Sequence, residues 1–369
     1  MKQIWWFGFL CLLFFSFEAK PQKADAWTGK PELTFSGFLD VFYVYDFARP
    51  DGPSRQPFFY NHNRHNEFNL NLGFIQWNVS NAKYRANLAL QSGTYPNDNY
   101  ADEPGLLKAV LEANVGISLN ANNSLWLDMG IMPSHIGFES AISMDNPTLT
   151  RSILAENSPY FMAGAKLGYQ PNEKWYLAGL ILNGWQRIQR LPGNSIPSFG
   201  SQVTFTPTEG MTFNWSTFVG TNDPDSTRRM RYFNNIFGKF QLSEKLALTA
   251  GFDLGLQQSQ KGSSSLDPWF SPVVIAQYKI QPHWRTAIRA EFYQDRTGIM
   301  IPTETANGFQ TLGISGTLDF LPTDAIMLRT EARWLNSQDR IFESPNGNTS
   351  TNFFVGVSLA ARFNKTWAD

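Results

Sequence analysis

From one end of this chain to the other, strand-length segments alternate apolar and polar side chains one for one, which leaves few folds open. Leu33, Phe35, Leu39, Val41 and Tyr43 oppose Thr34, Ser36 and Asp40; Tyr84, Ala86, Leu88 and Leu90 oppose Lys83, Arg85, Asn87 and Gln91. Leu111, Ala113, Val115, Ile117 and Leu119 oppose Glu112, Asn114 and Ser118, and Trp284, Ile288, Ala290 and Phe292 oppose Arg285, Arg289 and Glu291. Ile326, Leu328, Ala332 and Trp334 oppose Arg329, Glu331 and Arg333; Phe353, Val355, Val357, Leu359 and Phe363 oppose Ser358 and Arg362. Successive side chains of an extended backbone point to opposite faces, so each segment carries one greasy and one wet surface.

Alternation alone also suits a soluble β-sandwich. The connections separate the two. Short turns rich in Asn, Pro, Asp and Glu lie at 80–81, 120–123, 170–174, 207–210, 243–245, 281–283 and 321–324. Longer polar loops lie near 46–66, 94–107, 133–159, 186–199, 221–230, 258–268, 294–308 and 336–351. Short and long connections take turns along the whole chain, as in outer-membrane barrels with short periplasmic turns and long external loops. The expected fold is all-β, a transmembrane antiparallel β-barrel of about 16 strands with both ends on the periplasmic side. Segments near 68–79, 175–185 and 199–206 carry the weakest pattern.

Composition fits that reading. Charged residues make up 17% and aromatic residues 15%, whereas soluble domains carry about 25% charge. Mean hydropathy is nevertheless negative, because in a barrel every second residue faces a wet interior. Tyr43, Tyr45, Tyr169, Trp175, Trp185, Trp269, Trp284 and Trp334 fall at strand ends, the expected place for lipid-headgroup aromatics. Lys2 followed by the apolar run Ile4 to Phe17 reads as a signal peptide, residues 1–26. Ala24-Asp25-Ala26 places cleavage near Ala26, with a cut nearer Ala19 as the alternative. The only cysteine, Cys11, lies in that leader, so the mature barrel 27–369 has no thiol, disulfide or cysteine metal ligand. No later apolar run reaches about 18 residues, so any span must be a strand. The formal net charge of -1 gives no global basic field for nucleic acid.

The run Gly130-Ile131-Met132-Pro133-Ser134-His135-Ile136-Gly137-Phe138-Glu139-Ser140-Ala141 resembles a signature of the β-barrel porin-2, OmpL-like family. Asp145 to Ser152 with Ala155 to Tyr160, Asn183 to Gln186, and Leu88 to Tyr95 resemble further blocks of that family, the likeness being strongest from about 84 to 220. The resemblance implies an outer-membrane barrel with channel activity and carries over no catalytic residue.

The wet strand faces should line the lumen, bringing Arg85, Glu112, Asp128, Lys166, Asp253, Arg285, Arg289, Glu291, Arg329, Glu331, Arg333 and Arg362 to the inside. Barrels of this size leave an aqueous channel, and charged side chains at its narrowest point set selectivity. The longest connection, 133–159, is the candidate constriction loop, with Pro133, His135, Glu139, Asp145, Arg151 and Glu156. Two readings of its acids stand. In one, Glu139, Asp145 and Glu156 face basic wall residues across the pore; in the other they cap a loop helix, Asp145 first, or hold calcium.

An enzyme is disfavoured. Serine hydrolysis needs a histidine base within hydrogen-bond reach. Of the four histidines, His283 lies in a short turn, and His135 adjoins Ser134 on an extended segment whose neighbours point apart. His62 and His65 are expected on an exposed, solvated loop. No cofactor motif, redox centre or three-ligand metal set is present in the sequence. A plugged or adhesive barrel is the remaining rival, given the flexible loop stretches Gly262-Ser263-Ser264-Ser265 and Asn346-Gly347-Asn348. The expected partners are outer-membrane lipid and small hydrophilic solutes, with a homo-oligomer left open.

Overall fold

The structure is a computed structural model and describes residues 27 and 29–368; the leader read from the sequence lies outside the described residues. Sixteen strands follow one another: β1 (Glu32–Asp46), β2 (Phe68–Ser80), β3 (Tyr84–Ser92), β4 (Val110–Ser118), β5 (Leu125–Pro133) and β6 (Phe161–Asn172). Next come β7 (Trp175–Leu182), β8 (Ser198–Thr208), β9 (Met211–Gly220), β10 (Arg231–Gln241) and β11 (Leu246–Gln258). The last are β12 (Leu266–Gln281), β13 (Trp284–Asp295), β14 (Phe309–Thr323), β15 (Ile326–Ser337) and β16 (Thr351–Ala368). Each pairs with its sequence neighbours, and β16 returns to β1 to close the barrel. The closing seam is antiparallel and unbroken, from Glu32 opposite Ala368 to Asp46 opposite Phe354. Closure leaves no free strand edge, which hydrocarbon could not satisfy.

The three weakly patterned segments are the strands β2, β7 and β8. Seven short turns sit at one end of the barrel together with both ends of the described chain, and eight longer connections sit at the other.

The alternation resolves into two surfaces. Leu39, Val41, Ile181, Ile288, Leu328 and Leu359 are exposed on the outside, Ile288 to 63%. Asp40, Asn214, Ser216, Asn235, Arg289 and Glu331 are buried on the inside. An exposed apolar band of this kind is a liability in water and the favoured state in lipid. Tyr169, Trp175, Trp284 and Trp334 lie on that outer face as expected. Trp185 and Trp269 do not. Both are buried inside the barrel, within a cluster that includes Phe218, Phe233 and Tyr293. Trp269 faces inward because Pro268 and Phe270 take the outward positions on either side of it, and it packs over Gly255 of β11.

The interior core is made by loops folded into the barrel. Phe58 and Phe59 of the 47–67 loop pack with Phe42, Phe309, Phe342 and Phe354 of the wall and neighbouring loops. Arg55 lies over the Phe354 ring at 3.6 Å and beside Asp46 at 3.6 Å. The same inward fold corrects the expectation for His62. It is fully buried, its Nε2 2.9 Å from Asp40 Oδ2 and its backbone N–H bonded to Asn71. Period-two reading locates wall residues but says nothing about which way a loop turns.

Candidate pore constriction

The connection 134–160 leaves β5 after Pro133, three residues past Gly130, whose φ of 129° a side chain would strain. A Cβ there would also strike the backbone of Ala113 on β4, so the close approach requires glycine. The first arm lies along the wall formed by β8–β10. His135 Nε2 lies 2.8 Å from the Thr217 carbonyl, Ser216 Oγ donates to the His135 carbonyl, and the Gly137 N–H donates to Asn235. Inward-facing glycines give the loop its seats: His135 lies against Gly200, Phe138 against Gly251 and Leu149 against Gly356, where a Cβ would collide with or crowd each of them.

The second arm is latched to β13–β15 by three buried arginines. Arg329 forks onto Asp319 at 2.6 and 2.7 Å and donates to the carbonyls of Ser143, Asn146 and Thr148. Arg289 reaches Glu331 at 2.9 Å and the Thr150 carbonyl at 2.6 Å. Arg333 binds Glu291 at 2.5 Å and the Arg151 carbonyl at 3.0 Å. The carboxylates also grip the loop: Glu331 accepts from the Thr150 N–H and hydroxyl, Glu291 from the Ile153 N–H. Three guanidiniums meet three carboxylates, so the network is neutral. The loop's carbonyls take donors that the carboxylates leave over, which offsets part of the cost of burying the charges.

Ser152 caps the one-turn helix Ile153–Glu156, its side chain accepting from the Ala155 N–H. Leu154 and Ala155 then pack on Val273, Ile275 and Ala287. Asp145 ends a different helical turn and caps nothing; it pairs with Arg362 at 2.8 Å, both partly exposed.

The other two loop acids bond within loops instead of facing basic wall residues. Glu139 accepts from the Ser152 hydroxyl and N–H, and burial pushes its carboxyl above the usual range. Glu156 Oε2 takes the N–H groups of Tyr60 and Asn61 and the Asn61 amide, joining this loop to 47–67. Burial pushes Glu156 up to about 7. Arg151 spends its donors on the carbonyls of Ser140, Ala141 and Leu149. Among the described residues no group of His, Cys, Asp and Glu is arranged to hold a metal ion.

Arg289, Glu291, Arg329, Glu331 and Arg333 therefore sit on the inner wall but under the loop. The wet wall lies elsewhere. Arg85 forms a two-bond pair with Asp128 at 2.7 Å, Lys166 stands 3.9 Å from the same carboxylate, and Arg85 and Lys166 keep partial exposure. Asp253 is buried against Asn235. Three cavities follow the loop. One of about 370 Å³ among the long loops is lined by Asp98, Asp102, Glu103, Glu156 and Arg187. One of about 320 Å³ beneath it is lined by Glu112, Glu139, Lys239, Phe138 and Tyr95. A third, about 570 Å³, lies toward the short turns with Arg285, Arg362 and Gln76.

The first two share Tyr100 and Ser158. Tyr100 is fully buried and stacked on Phe161, ring centroids 4.0 Å apart. Sequence reading passed over this tyrosine, because a loop aromatic carries no periodic signal.

A family model described as "Putative beta-barrel porin-2, OmpL-like" matches residues 32–363. No curated protein matches the sequence. Among solved structures, the anion-selective porin from Comamonas acidovorans is similar at TM-score 0.61 and 9% identity, covering 90% of this chain and 100% of that one. The outer membrane channel DcaP of Acinetobacter baumannii is similar at 0.58 and 12%, covering 90% and 98%. The trimer form of OmpT from Vibrio cholerae is similar at 0.58 and 8%, covering 90% and 100%. At these identities the likeness concerns the fold.

Proposed function

Since the chain belongs to the β-barrel porin-2, OmpL-like family, and is thus a porin of the outer membrane, we propose that it passes small hydrophilic solutes passively along one side of its lumen. The observation that carries this is the pair of abutting cavities beside the latched loop, on the side away from the arginine network. On this reading Arg85, Glu112, Lys166, Arg285 and Arg362 meet the solute. Arg289, Glu291, Arg329, Glu331 and Arg333 act by fixing the loop, and Tyr100 with Ser158 forms the narrowest point. Among the described residues no nucleophile–base pair is set out for catalysis, and passive passage through a channel calls for no cofactor. Delivery through a cleaved leader belongs to the same proposal.

Planar-bilayer recording tests it. The purified barrel should give stepwise conductance, and Tyr100→Ala should raise the unitary current. A folded barrel that never conducts would instead support the plugged reading, to which the loops filling the interior give some physical basis.

A further inference from the structure

Beside the acidic outer cavity, and sharing Trp185 and Asn222 with it, lies a smaller one of about 240 Å³ lined by Asp223, Arg229, Arg231 and Gln257. Arg231 opens β10 and points inward, since Tyr232 beside it is exposed on the outer face. Its guanidinium lies over two indoles, 4.8 Å from Trp185 and 5.4 Å from Trp269. Nε and Nη2 both donate to one neutral oxygen, Gln257 Oε1, at 2.9 and 2.7 Å. Gln257 stands directly opposite on β11, so the ladder itself sets the plane of the fork.

No carboxylate pairs with Arg231 among the described residues. The two whose charge reaches it, Asp223 and Asp295, are committed elsewhere. Asp223 is held by the side chain and N–H of Arg229. Asp295 takes the N–H groups of Ile299, Met300 and Ile301. The cavity thus presents two guanidiniums against one carboxylate, and a stacked cation whose Nη1 has no hydrogen-bond partner among the described residues. The guanidinium is half-buried and meets a neutral oxygen alone, so an oxyanion entering the cavity would add a charge-assisted bond that no protein group supplies.

We propose that Arg231 is the anchor of an oxyanion-binding subsite at the outer mouth, which takes the carboxylate of a small solute on its way to the pore. The indoles orient the guanidinium, and Gln257 holds its far edge. This rests on the channel reading and adds a solute class to it.

Saturation-transfer NMR on the detergent-folded barrel, with acetate as the probe, reports the subsite without requiring conduction. The wild type should transfer saturation to the acetate methyl group, and inorganic phosphate should displace it. Arg231→Gln should weaken acetate binding about tenfold or more, the size expected for losing one charge-assisted hydrogen bond. Gln257→Glu keeps the arginine but neutralises it in place, and should weaken binding comparably while circular dichroism shows an intact barrel. Acetate binding as strong in Gln257→Glu as in the wild type, or none in the wild type, would overturn the subsite. Conductance of the same preparations reports separately on the channel.

Discussion

Glu156 is the residue where charge and architecture are most closely joined, because one of its oxygens holds two loops together. Its native value of about 7 lies above the ordinary 4.5, so the folded loops bind its proton more readily than the open chain does. The stabilisation from this group is full below about 4.5 and is lost as pH rises through about 7, a difference on the order of 3 kcal/mol. Proteolysis of the 47–67 loop should therefore accelerate between pH 5 and 8, and Glu156→Gln should flatten that profile. An equally steep profile in the variant would place the titration elsewhere.

Arg333 belongs to the same scale. Truncating Arg333→Ala leaves Glu291 with one guanidinium fewer and the Arg151 carbonyl unbonded, which should destabilise the barrel by about 3–5 kcal/mol in urea unfolding. Alternation identified Arg333, Arg289 and Arg329 as inward-facing. Their partners, the carbonyls of Ser143, Asn146, Thr148 and Thr150, carry no residue-type signal, because every residue has a carbonyl.

At the scale of elements, the 134–160 connection stands out by its length and its run from Gly130 to Ala141, both legible in the sequence. Which wall it lies against was not. Its seats are absences of side chain, and an inward glycine in a strand reads as a weak strand until the loop is laid upon it. Gly251→Leu should unseat Phe138 and loosen the first arm while the arginine latch holds the second. Single-channel records should then show noisier openings with a changed mean current. An unaltered trace would mean that the first arm takes no part in the constriction. The same blindness to loop direction explains His62, whose neighbours in sequence are polar but whose place is a buried contact with Asp40.

For the whole molecule, the decisive division is between the surface that meets lipid and the one that does not. Ile288→Arg, on the outer face of β13, should cost about 2–4 kcal/mol of folding stability in lipid vesicles. Neutralising Arg285→Gln, a partly exposed residue lining the cavity toward the short turns and in no ion pair among the described residues, should instead leave stability nearly intact and alter ion preference. Equal penalties at both positions would contradict the sidedness of the wall.

Strand count, inside and outside faces and the alternation of turn and loop were written in the sequence, because each depends only on the pleat of neighbouring residues and on lipid's refusal of unpaired backbone. Tertiary structure decided the rest: which arginines are wet and which are latched, that Trp185 and Trp269 lie within, and that Tyr100 stands between two cavities. Those outcomes depend on where a loop of more than twenty residues comes to rest across the barrel, and contacts between residues so far apart in sequence leave no period to read.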